Sequence, residues 1–303
     1  MVKGKRSKLS TYFQRKLAKW SGAPAAVRGS APRALYATAP DAVHLHSMTR
    51  SLRRLEGTVA IVTGSGQGIG RGIALVYARE GAHVVVAELK EHRAQRTADE
   101  ITREGGSALA LAVDVAQRSQ VERMIAVTVE RFGRLDVLVN NAQGMHAHKP
   151  FEEITDADFD VFLVSGLKGT FWAMQAAFPH MRSQGGGRIV NFVSLNALNG
   201  APGLADYNAT KGAIAALSRT AAREWGKHGI LVNCIAPGAT SKRTMEFLER
   251  NPQMAEYIRE QRPLGRLADP EQDLAPVAVF LASADAHFVT GQTYFVDGGA
   301  YLT

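Results

Sequence analysis

Seven short apolar segments recur along residues 55–303, and longer amphipathic segments lie between them. Each apolar segment is four to six residues long and nearly continuous, which is typical of strands buried on both faces of a sheet. Such strands in alternation with helices predict a parallel β-sheet with helices on both sides. Because crossovers between parallel strands are right-handed, we expect a single-domain, doubly wound α/β fold with a seven-stranded parallel sheet. The predicted strands are Val59–Val62, Val84–Ala87, Ala108–Val113, Leu135–Val139, Ile189–Val193, Ile230–Ile235 and Thr293–Val296, and the predicted helices are Gly70–Glu80, Ala94–Glu104, Gln117–Phe132, Asp156–Met181 and Ala209–His228.

The N-terminal segment differs in character from the rest of the chain. Residues 1–55 contain twelve Lys or Arg and one acidic residue, whereas the remainder contains 24 basic and 27 acidic residues. The net charge of +8 therefore belongs to this segment, and the body offers no basic surface that would indicate a nucleic-acid partner. We predict a basic, flexible extension over residues 1–54 and a folded domain over residues 55–303. We favour a cytoplasmic protein whose N-terminal extension is a functionless leader. The alternatives are that the extension is an organelle transit peptide or that it lies on an anionic membrane.

Membrane spans, disulfides and metal sites find no support in the sequence. No run of about 18 apolar residues occurs, so an integral membrane segment is not expected. Cys234 is the only cysteine, which excludes a disulfide within the chain and argues against structural zinc. His146 and His148 have no cysteine or acid at ligand spacing, so we expect them at the surface of a loop, without a metal.

A glycine-rich turn follows the first predicted strand. Residues 63–70 read Thr-Gly-Ser-Gly-Gln-Gly-Ile-Gly. Glycines in such a turn let backbone N–H groups approach a pyrophosphate, and the N-terminus of the next helix adds a partial positive charge. With a strand before it and a helix after it, the turn predicts a dinucleotide-binding, Rossmann-type fold. The expected contacts of this turn with the cofactor are Gly64, Gly66, Gln67, Gly68, Ile69 and Gly70.

The second predicted strand leads to Glu88, eighteen residues after Gly70. An acid here accepts hydrogen bonds from the adenosine ribose hydroxyls and repels a 2′-phosphate. We therefore predict NAD as the cofactor, although Lys90 and Arg93 lie close enough to soften the preference.

Asn141 has two interpretations, a cofactor contact and a side chain that holds neighbouring strand ends together. Further contacts are expected at the carboxyl edge of the sheet, where ligands of open sheets bind, at Asp114, Val115, Asn141 and Ala142.

Three polar residues near the fifth predicted strand have the chemistry of carbonyl reduction. Ser194 follows that strand, Tyr207 comes thirteen residues later, and Lys211 lies four residues beyond it. Residues i and i+4 of a helix share one face, so Tyr207 and Lys211 are expected to be neighbours. Reduction of a carbonyl requires a proton donor, and a nearby ammonium lowers the pKa of a phenol towards neutrality. Together with the glycine turn, this spacing predicts a catalytic Ser-Tyr-Lys group.

Residues 55–303 resemble the classical short-chain dehydrogenases/reductases along their whole length. The resemblance rests on the glycine turn, Asn140–Ala142, Ser194, the Tyr207/Lys211 pair and the closing residues 291–299. It implies that Tyr207 is the general acid/base, that Ser194 hydrogen-bonds the substrate oxygen, and that Lys211 binds the nicotinamide ribose and depresses the pKa of Tyr207. It also implies a homotetramer or homodimer, with the Asp156–Met181 and Ala209–His228 helices as candidate interface elements. Additional cofactor contacts implied by the family pattern are Pro237, Gly238 and Thr240, beside Tyr207 and Lys211 themselves.

Three positions depart from the pattern of that family. Gln143 stands where a glycine usually follows Asn-Asn-Ala, and Lys242 stands where a threonine is usual. Gly166 stands where the family has a catalytic asparagine, which holds a water in the proton path from the lysine to solvent. Another water or Ser165 would then have to serve, or the proton relay is slower.

The leading interpretation is an NAD(H)-dependent oxidoreductase acting on a secondary alcohol or ketone. Apolar residues within 239–263 favour a bulky apolar substrate such as a steroid, terpenoid or cyclic alcohol. The first alternative is a 3-oxoacyl-thioester reductase, which normally uses NADPH and is disfavoured by Glu88. A non-catalytic dinucleotide-sensing scaffold is the alternative of another class. Gly166 favours the scaffold, and the intact Tyr207/Lys211 pair opposes it.

Overall fold

The computed structural model describes residues 53–238, 248 and 250–301. Over these residues, seven strands form one parallel sheet in the order β3-β2-β1-β4-β5-β6-β7, which confirms the predicted doubly wound fold. Most strand ends lie within one or two residues of the prediction. The strands are β1 Val59–Thr63, β2 His83–Glu88, β3 Ser107–Ala112, β4 Val137–Asn140, β5 Gly187–Phe192, β6 Ile230–Pro237 and β7 Thr293–Val296.

Helices connect the strands and cover both faces of the sheet. Alternate residues of a strand point to opposite faces. On β1, Ala60 therefore packs into one apolar cluster, with Ile73 and Val279, and Ile61 packs into the other, with Met124. The helices are α1 Gly68–Arg79, α2 Glu91–Arg103, α3 Arg118–Phe132, α4 Asp156–Phe162, α5 Gly169–Ser183, α6 Asn196–Asn199, α7 Ala205–Trp225, α8 Pro252–Glu260 and α9 Ala275–Ala282. Among the described helices, none combines the length and apolarity needed to span a membrane.

The long helix predicted over Asp156–Met181 is interrupted in the structure. A π-helical turn, Leu163–Lys168, lies between α4 and α5. A π-turn inserts one extra residue into the helix, and such turns are frequent at functional sites. Hydrophobic periodicity did not reveal it, because one extra residue shifts the apolar face by only part of a turn.

Helix α7 begins at Ala205, four residues before the predicted start. The earlier start places Tyr207 within the first turn of the helix, so that Tyr207 and Lys211 are both helical and lie on one face. At its other end, α7 gives way to a 3₁₀ turn over Gly226–His228.

The start of the domain is well anchored in the structure. Leu55 is buried in the core, and the backbone N–H of Arg54 donates to a carboxylate oxygen of Glu80 at 2.7 Å. Residues 1–52, which include nearly all of the predicted N-terminal extension, lie outside the described residues. The boundary between residues 54 and 55 therefore stays a prediction.

Candidate active site

The glycine-rich turn lies at the point where the sheet order reverses, between the carboxyl ends of β1 and β4. Gly64 and Gly68 have φ values of +65° and +56°, which favour glycine. A Cβ atom at Gly70 would collide with the carbonyl oxygen of Gly64, so this glycine permits α1 to start against the turn. The first amides of α1, from Gly68 onwards, have no partner within the helix and are suited to a phosphate. Gln67 and Gly68 are exposed, and Ile69 is half-buried.

Glu88 is buried at the end of β2 and contacts this turn. Its carboxylate accepts hydrogen bonds from the backbone N–H groups of Gly66, at 3.2 Å, and Lys90, at 3.4 Å. A Cβ atom at Gly66 would lie 2.7 Å from both the Glu88 Cγ and the Arg93 Cβ atoms. Arg96 also donates to the carbonyl of Gly66 at 3.3 Å. The adenosine end of the site therefore contains one acid and two nearby arginines.

Asn141 performs the structural one of its two predicted roles. Its side-chain amide donates to the carbonyls of Thr63, at 2.9 Å, and Gly64, at 3.3 Å. The Thr63 hydroxyl in turn accepts from the backbone N–H groups of Asn141 and Ala142, each at 3.0 Å. These bonds join the ends of β1 and β4 and shape the turn from behind. Asp114 and Val115 follow β3 and are half-buried at the same edge of the sheet.

The structure brings Ser194, Tyr207 and Lys211 together at the carboxyl edge of β5. Ser194 follows the strand, and its hydroxyl hydrogen-bonds the Tyr207 side chain. Lys211 is almost fully buried, and its Nζ atom donates to the carbonyl of Phe192 at 2.7 Å. That Nζ atom lies 5.8 Å from the centre of the Tyr207 ring.

The ionisation of this group differs in one respect from the family-based expectation. Burial raises the pKa of Tyr207, and the hydrogen bond with Ser194 opposes that rise only in part. Burial also lowers the pKa of Lys211 to about 7. Lys211 donates to a backbone carbonyl, and the pKa of the phenol is raised by burial rather than depressed. The Tyr207 phenol keeps its proton at neutral pH and is a proton donor.

The residues implied by the family pattern after β6 are partly described. Gly238 packs against Asp297, where a Cβ atom would collide with the backbone. Its N–H donates to the carbonyl of Val296 at 2.7 Å, so Pro237 and Gly238 lie beside the closing residues of the sheet. Thr240 and Lys242 lie outside the described residues.

A hydrogen-bonded His146–Asp206 pair beside Tyr207 corrects the expectation that His146 lies at the surface of a loop. The Nε2 atom of His146 lies 2.6 Å from a carboxylate oxygen of Asp206, which is fully buried. Asp206 also accepts from the backbone N–H of Tyr207 at 2.8 Å. The pair thus connects the loop after β4 to the start of α7, whereas His148 is exposed as expected. The adjacency of Asp206 to Tyr207 was the only signal of this pair in the sequence.

Ser165, the candidate replacement for the missing asparagine, bonds the backbone through its hydroxyl. Its hydroxyl donates to the carbonyl of Val161 at 2.5 Å and accepts from the N–H of Gly144 at 2.8 Å. The hydroxyl thereby holds the loop after β4 against the π-turn. It has no donor left for a proton path.

Two loops enclose the space next to the Ser-Tyr-Lys group. Residues 143–150 and 195–204 meet where the N–H of Lys149 donates to the carbonyl of Gly203 at 3.2 Å. Met145 and Leu198 expose 63% and 56% of their surface on these loops. A separate open cavity of about 700 Å³ lies between residues 263–273 and 295–301, and none of the three Ser-Tyr-Lys residues lines it.

Comparison with known proteins agrees with this geometry. The family profile described as Enoyl-(Acyl carrier protein) reductase matches residues 64–301. The chain is 37% identical to the (2S)-[(R)-hydroxy(phenyl)methyl]succinyl-CoA dehydrogenase subunit BbsD of Thauera aromatica, over 82% of this chain and 98% of that protein. It is 39% identical to the 3-oxoacyl-[acyl-carrier-protein] reductase FabG of Staphylococcus aureus, over 80% of this chain and 98% of that protein.

Solved structures agree with these sequence relationships. A gluconate 5-dehydrogenase from Burkholderia cenocepacia, in complex with NADP and tartrate, superposes with a TM-score of 0.77 at 35% identity, covering 82% of this chain and 97% of that one. A 7α-hydroxysteroid dehydrogenase complexed with NADH and 7-oxo glycochenodeoxycholic acid gives a TM-score of 0.76 at 35% identity, covering 82% and 96%. The extent of these matches, together with the sheet order and the Ser-Tyr-Lys group, shows that the chain belongs to the short-chain dehydrogenase/reductase family of nicotinamide-dinucleotide oxidoreductases, in which the dehydrogenases named above act on CH–OH donors.

Proposed function

We propose that this protein interconverts a secondary alcohol and its ketone with NAD(H). The observation that carries the proposal is the proximity of Ser194, Tyr207 and Lys211 at the carboxyl edge of β5. Nicotinamide dinucleotide, when bound, supplies or accepts the hydride. The residues of this chain manage the proton and the orientation of the substrate.

In the direction of reduction, Tyr207 donates its phenolic proton to the carbonyl oxygen. The Ser194 hydroxyl, which already bonds the phenol, also orients that oxygen. Burial favours the protonated phenol at neutral pH, so this direction suits the site as it stands. In the reverse direction, the phenolate accepts the proton of the alcohol, which requires a higher pH.

NAD is the cofactor that we propose for this chain. A Cβ atom at Gly66 would collide with Glu88 and Arg93, and one at Gly70 would collide with the Gly64 carbonyl, so both glycines are required for the shape of the turn that is suited to a pyrophosphate. Glu88 offers buried carboxylate oxygens at the position suited to ribose hydroxyls and disfavours a 2′-phosphate. The adjacent Arg93 and Arg96 oppose this preference. One neighbouring structure contains NADH and another NADP.

A bulky apolar alcohol or ketone is the proposed substrate class. Met145 and Leu198 present apolar surface on the two loops that border the Ser-Tyr-Lys group. Exposed apolar side chains at a cleft favour ligands with large apolar surfaces. The steroid-bound structural neighbour supports this class.

A 3-oxoacyl thioester is the second candidate substrate. The similarity to an acyl-carrier-protein reductase and to a CoA-ester dehydrogenase favours it. A panel of steroid and terpenoid ketones, cyclic alcohols and 3-oxoacyl thioesters, followed by NADH and NADPH absorbance, separates the two candidates by kcat/KM. Saturable NADH binding with no turnover on any compound would instead favour a dinucleotide-sensing scaffold.

The decisive variant for the proposed function is Tyr207→Phe, which removes only the phenolic proton donor. A positioned general acid contributes about 100-fold or more to the rate, so we expect kcat to fall by at least that factor with NADH affinity unchanged. Stopped-flow turnover and NADH fluorescence titration measure the two quantities. Residual turnover above about a tenth of the wild-type rate would place the acid elsewhere.

We also propose that the chain assembles as a homotetramer or homodimer. Helices α4 and α5 expose Phe159 and Phe171, each by more than a third of its surface. Exposed aromatic side chains on neighbouring helices are typical of interaction surfaces. Light scattering on the purified protein measures the state directly.

A further inference from the structure

Gly166 lies in the π-turn and faces two side chains from other parts of the fold. A Cβ atom at this glycine would lie 2.8 Å from the Thr210 Cγ2 atom and 3.2 Å from the Gln143 Cδ atom. The glutamine side chain therefore borders the space into which any side chain at residue 166 would project. Gln143 and Gly166 are two of the departures from the family pattern, and the structure shows that they are neighbours.

The side-chain amide of Gln143 is buried without a partner. Neither its Oε1 nor its Nε2 atom has a hydrogen bond to any residue that the structure describes. The hydroxyl of Thr210, whose methyl group faces Gly166, is also buried and lacks a partner within the same residues. Buried polar groups in native proteins nearly always have a partner, which is often an ordered water. Three such atoms, offering both donors and acceptors, belong to the two side chains that contact Gly166.

These atoms adjoin the catalytic face of α7. Thr210 is the residue before Lys211 and lies one helical turn from Tyr207, since residues i, i+3 and i+4 share a face. Ser165 cannot supply a polar group here, because its hydroxyl is bonded to Val161 and Gly144. Gln143 is thus the amide nearest to the position where the family has its asparagine.

We propose that Gln143 replaces the missing asparagine from the opposite side of the π-turn, and that its amide and the Thr210 hydroxyl hold the water that resupplies Tyr207 with a proton through Lys211. In each reductive turnover, Tyr207 loses its phenolic proton to the substrate oxygen and regains one proton from solvent along this path. Gln143 acts through water and is a positioning residue. Gly166 is its steric complement, because a side chain there would displace the amide. The proposal rests on the proposed function.

Two variants test the polar role at constant volume. Gln143→Met retains the length of the side chain and removes its donors and acceptor. We expect kcat in the reductive direction to fall about tenfold, because proton transfer becomes limiting, with the alkaline limb of the pH profile moved to lower pH. The KM for NADH and the melting temperature should stay unchanged. Gln143→Glu, which restores an oxygen acceptor, should recover part of the rate. Unchanged kcat and pH profile in Gln143→Met would overturn the polar role.

An exchange variant tests the pairing itself. The first variant combines Gly166→Asn with Thr210→Ser, which removes the methyl group that contacts residue 166 but keeps the hydroxyl. While Gln143 remains, this variant should have a lower kcat and a lower melting temperature than wild type. Adding Gln143→Gly to that variant should restore both, with kcat within about threefold of wild type. If the third substitution restores neither, the pairing is wrong.

The outcomes also separate this proposal from the proposed function. If wild type and Tyr207→Phe are equally inactive on the whole substrate panel, the proposed oxidoreductase activity fails, and so does the relay role. The steric pairing is then decided by the melting temperatures of the exchange variants alone.

Discussion

At the scale of one residue, burial lowers the pKa of Lys211, a proposed catalytic residue, and so makes the stability of the fold depend on pH. Its pKa falls from 10.5 to about 7 because the side chain has left water. The Phe192 carbonyl accepts one hydrogen bond from the Lys211 Nζ atom. The fold must keep the Lys211 ammonium in a low-dielectric environment for the proposed reaction. Functional sites often retain an ionisable group whose burial destabilises the fold.

We predict that Lys211→Met abolishes turnover and that its effect on stability depends on pH. A lysine whose folded pKa is lowered releases its proton in the folded state first, so wild-type stability rises between about pH 7 and pH 10.5. Below pH 7 both states are charged, and the fold carries the full cost of burying the ammonium. The melting temperature of Lys211→Met relative to wild type should therefore be higher at pH 6 than at pH 9. A difference that is constant with pH would contradict the lowered pKa.

Glu88 is the residue that we expect to control the choice between NAD and NADP. Glu88→Ala should reduce the ratio of kcat/KM for NAD to that for NADP about tenfold, since a hydrogen bond to a charged group contributes about 1.5 kcal/mol or more. The ratio removes any loss common to both cofactors, such as a disturbed Gly66. Glu88→Gln is the matched control, because it keeps an acceptor and removes the charge. An unchanged ratio in Glu88→Ala would remove this residue from cofactor selection.

At the scale of elements, the loop after β4 is held to α7 by the His146–Asp206 pair. The other ring nitrogen of His146 lies 2.6 Å from the carbonyl of Ala147, so both ring nitrogens face acceptors. Only the imidazolium donates from both nitrogens. Burial disfavours that charge, but the bonds to Ala147 and Asp206 outweigh burial and raise the pKa of His146.

This pair predicts a pH-dependent stability of the loop. A histidine with a raised folded pKa stabilises the fold fully below its unfolded value of about 6.5, and the contribution disappears as the pH rises through the folded pKa. Compared with His146→Gln, which keeps a donor and does not titrate, wild type should melt about 2 °C higher at pH 6. The difference should shrink at pH 9. Calorimetry at both values measures it, and equal differences at the two pH values would mean that the imidazolium is not the stabilising form.

At the scale of the whole molecule, the two main apolar clusters lie on opposite sides of the sheet, and their described residues begin at Leu55. Leu55 closes one of these clusters, and Arg54 bonds Glu80 at the edge of the same layer.

We therefore predict that deletion of residues 1–47 leaves the melting temperature within about 2 °C and kcat/KM within about twofold of the full chain. The full-length protein is the control, assayed at equal ionic strength because the deletion removes nine basic residues and one acid, which together account for the net charge of +8. Loss of folding or of activity would show that the extension is part of the enzyme.

Sequence periodicity and motif spacing predicted the parallel sheet and the proximity of Ser194, Tyr207 and Lys211. Strands that are apolar at consecutive positions leave few alternatives, and residues four apart on a helix must be neighbours. The His146–Asp206 pair could not be predicted in the same way, because its partners are 60 residues apart and meet only through the packing of a loop on α7.

By itself, the sequence determined the doubly wound architecture and the glycine-rich turn, and it predicted Tyr207 as the proton donor, because each depends on local periodicity or on short spacing. Tertiary structure decided how that donor is supported. It buried Lys211 and thereby lowered its pKa, it committed Ser165 to the backbone, and it placed Gln143 against Gly166. Such effects depend on which distant side chains share one desolvated volume, and a linear pattern does not contain that information.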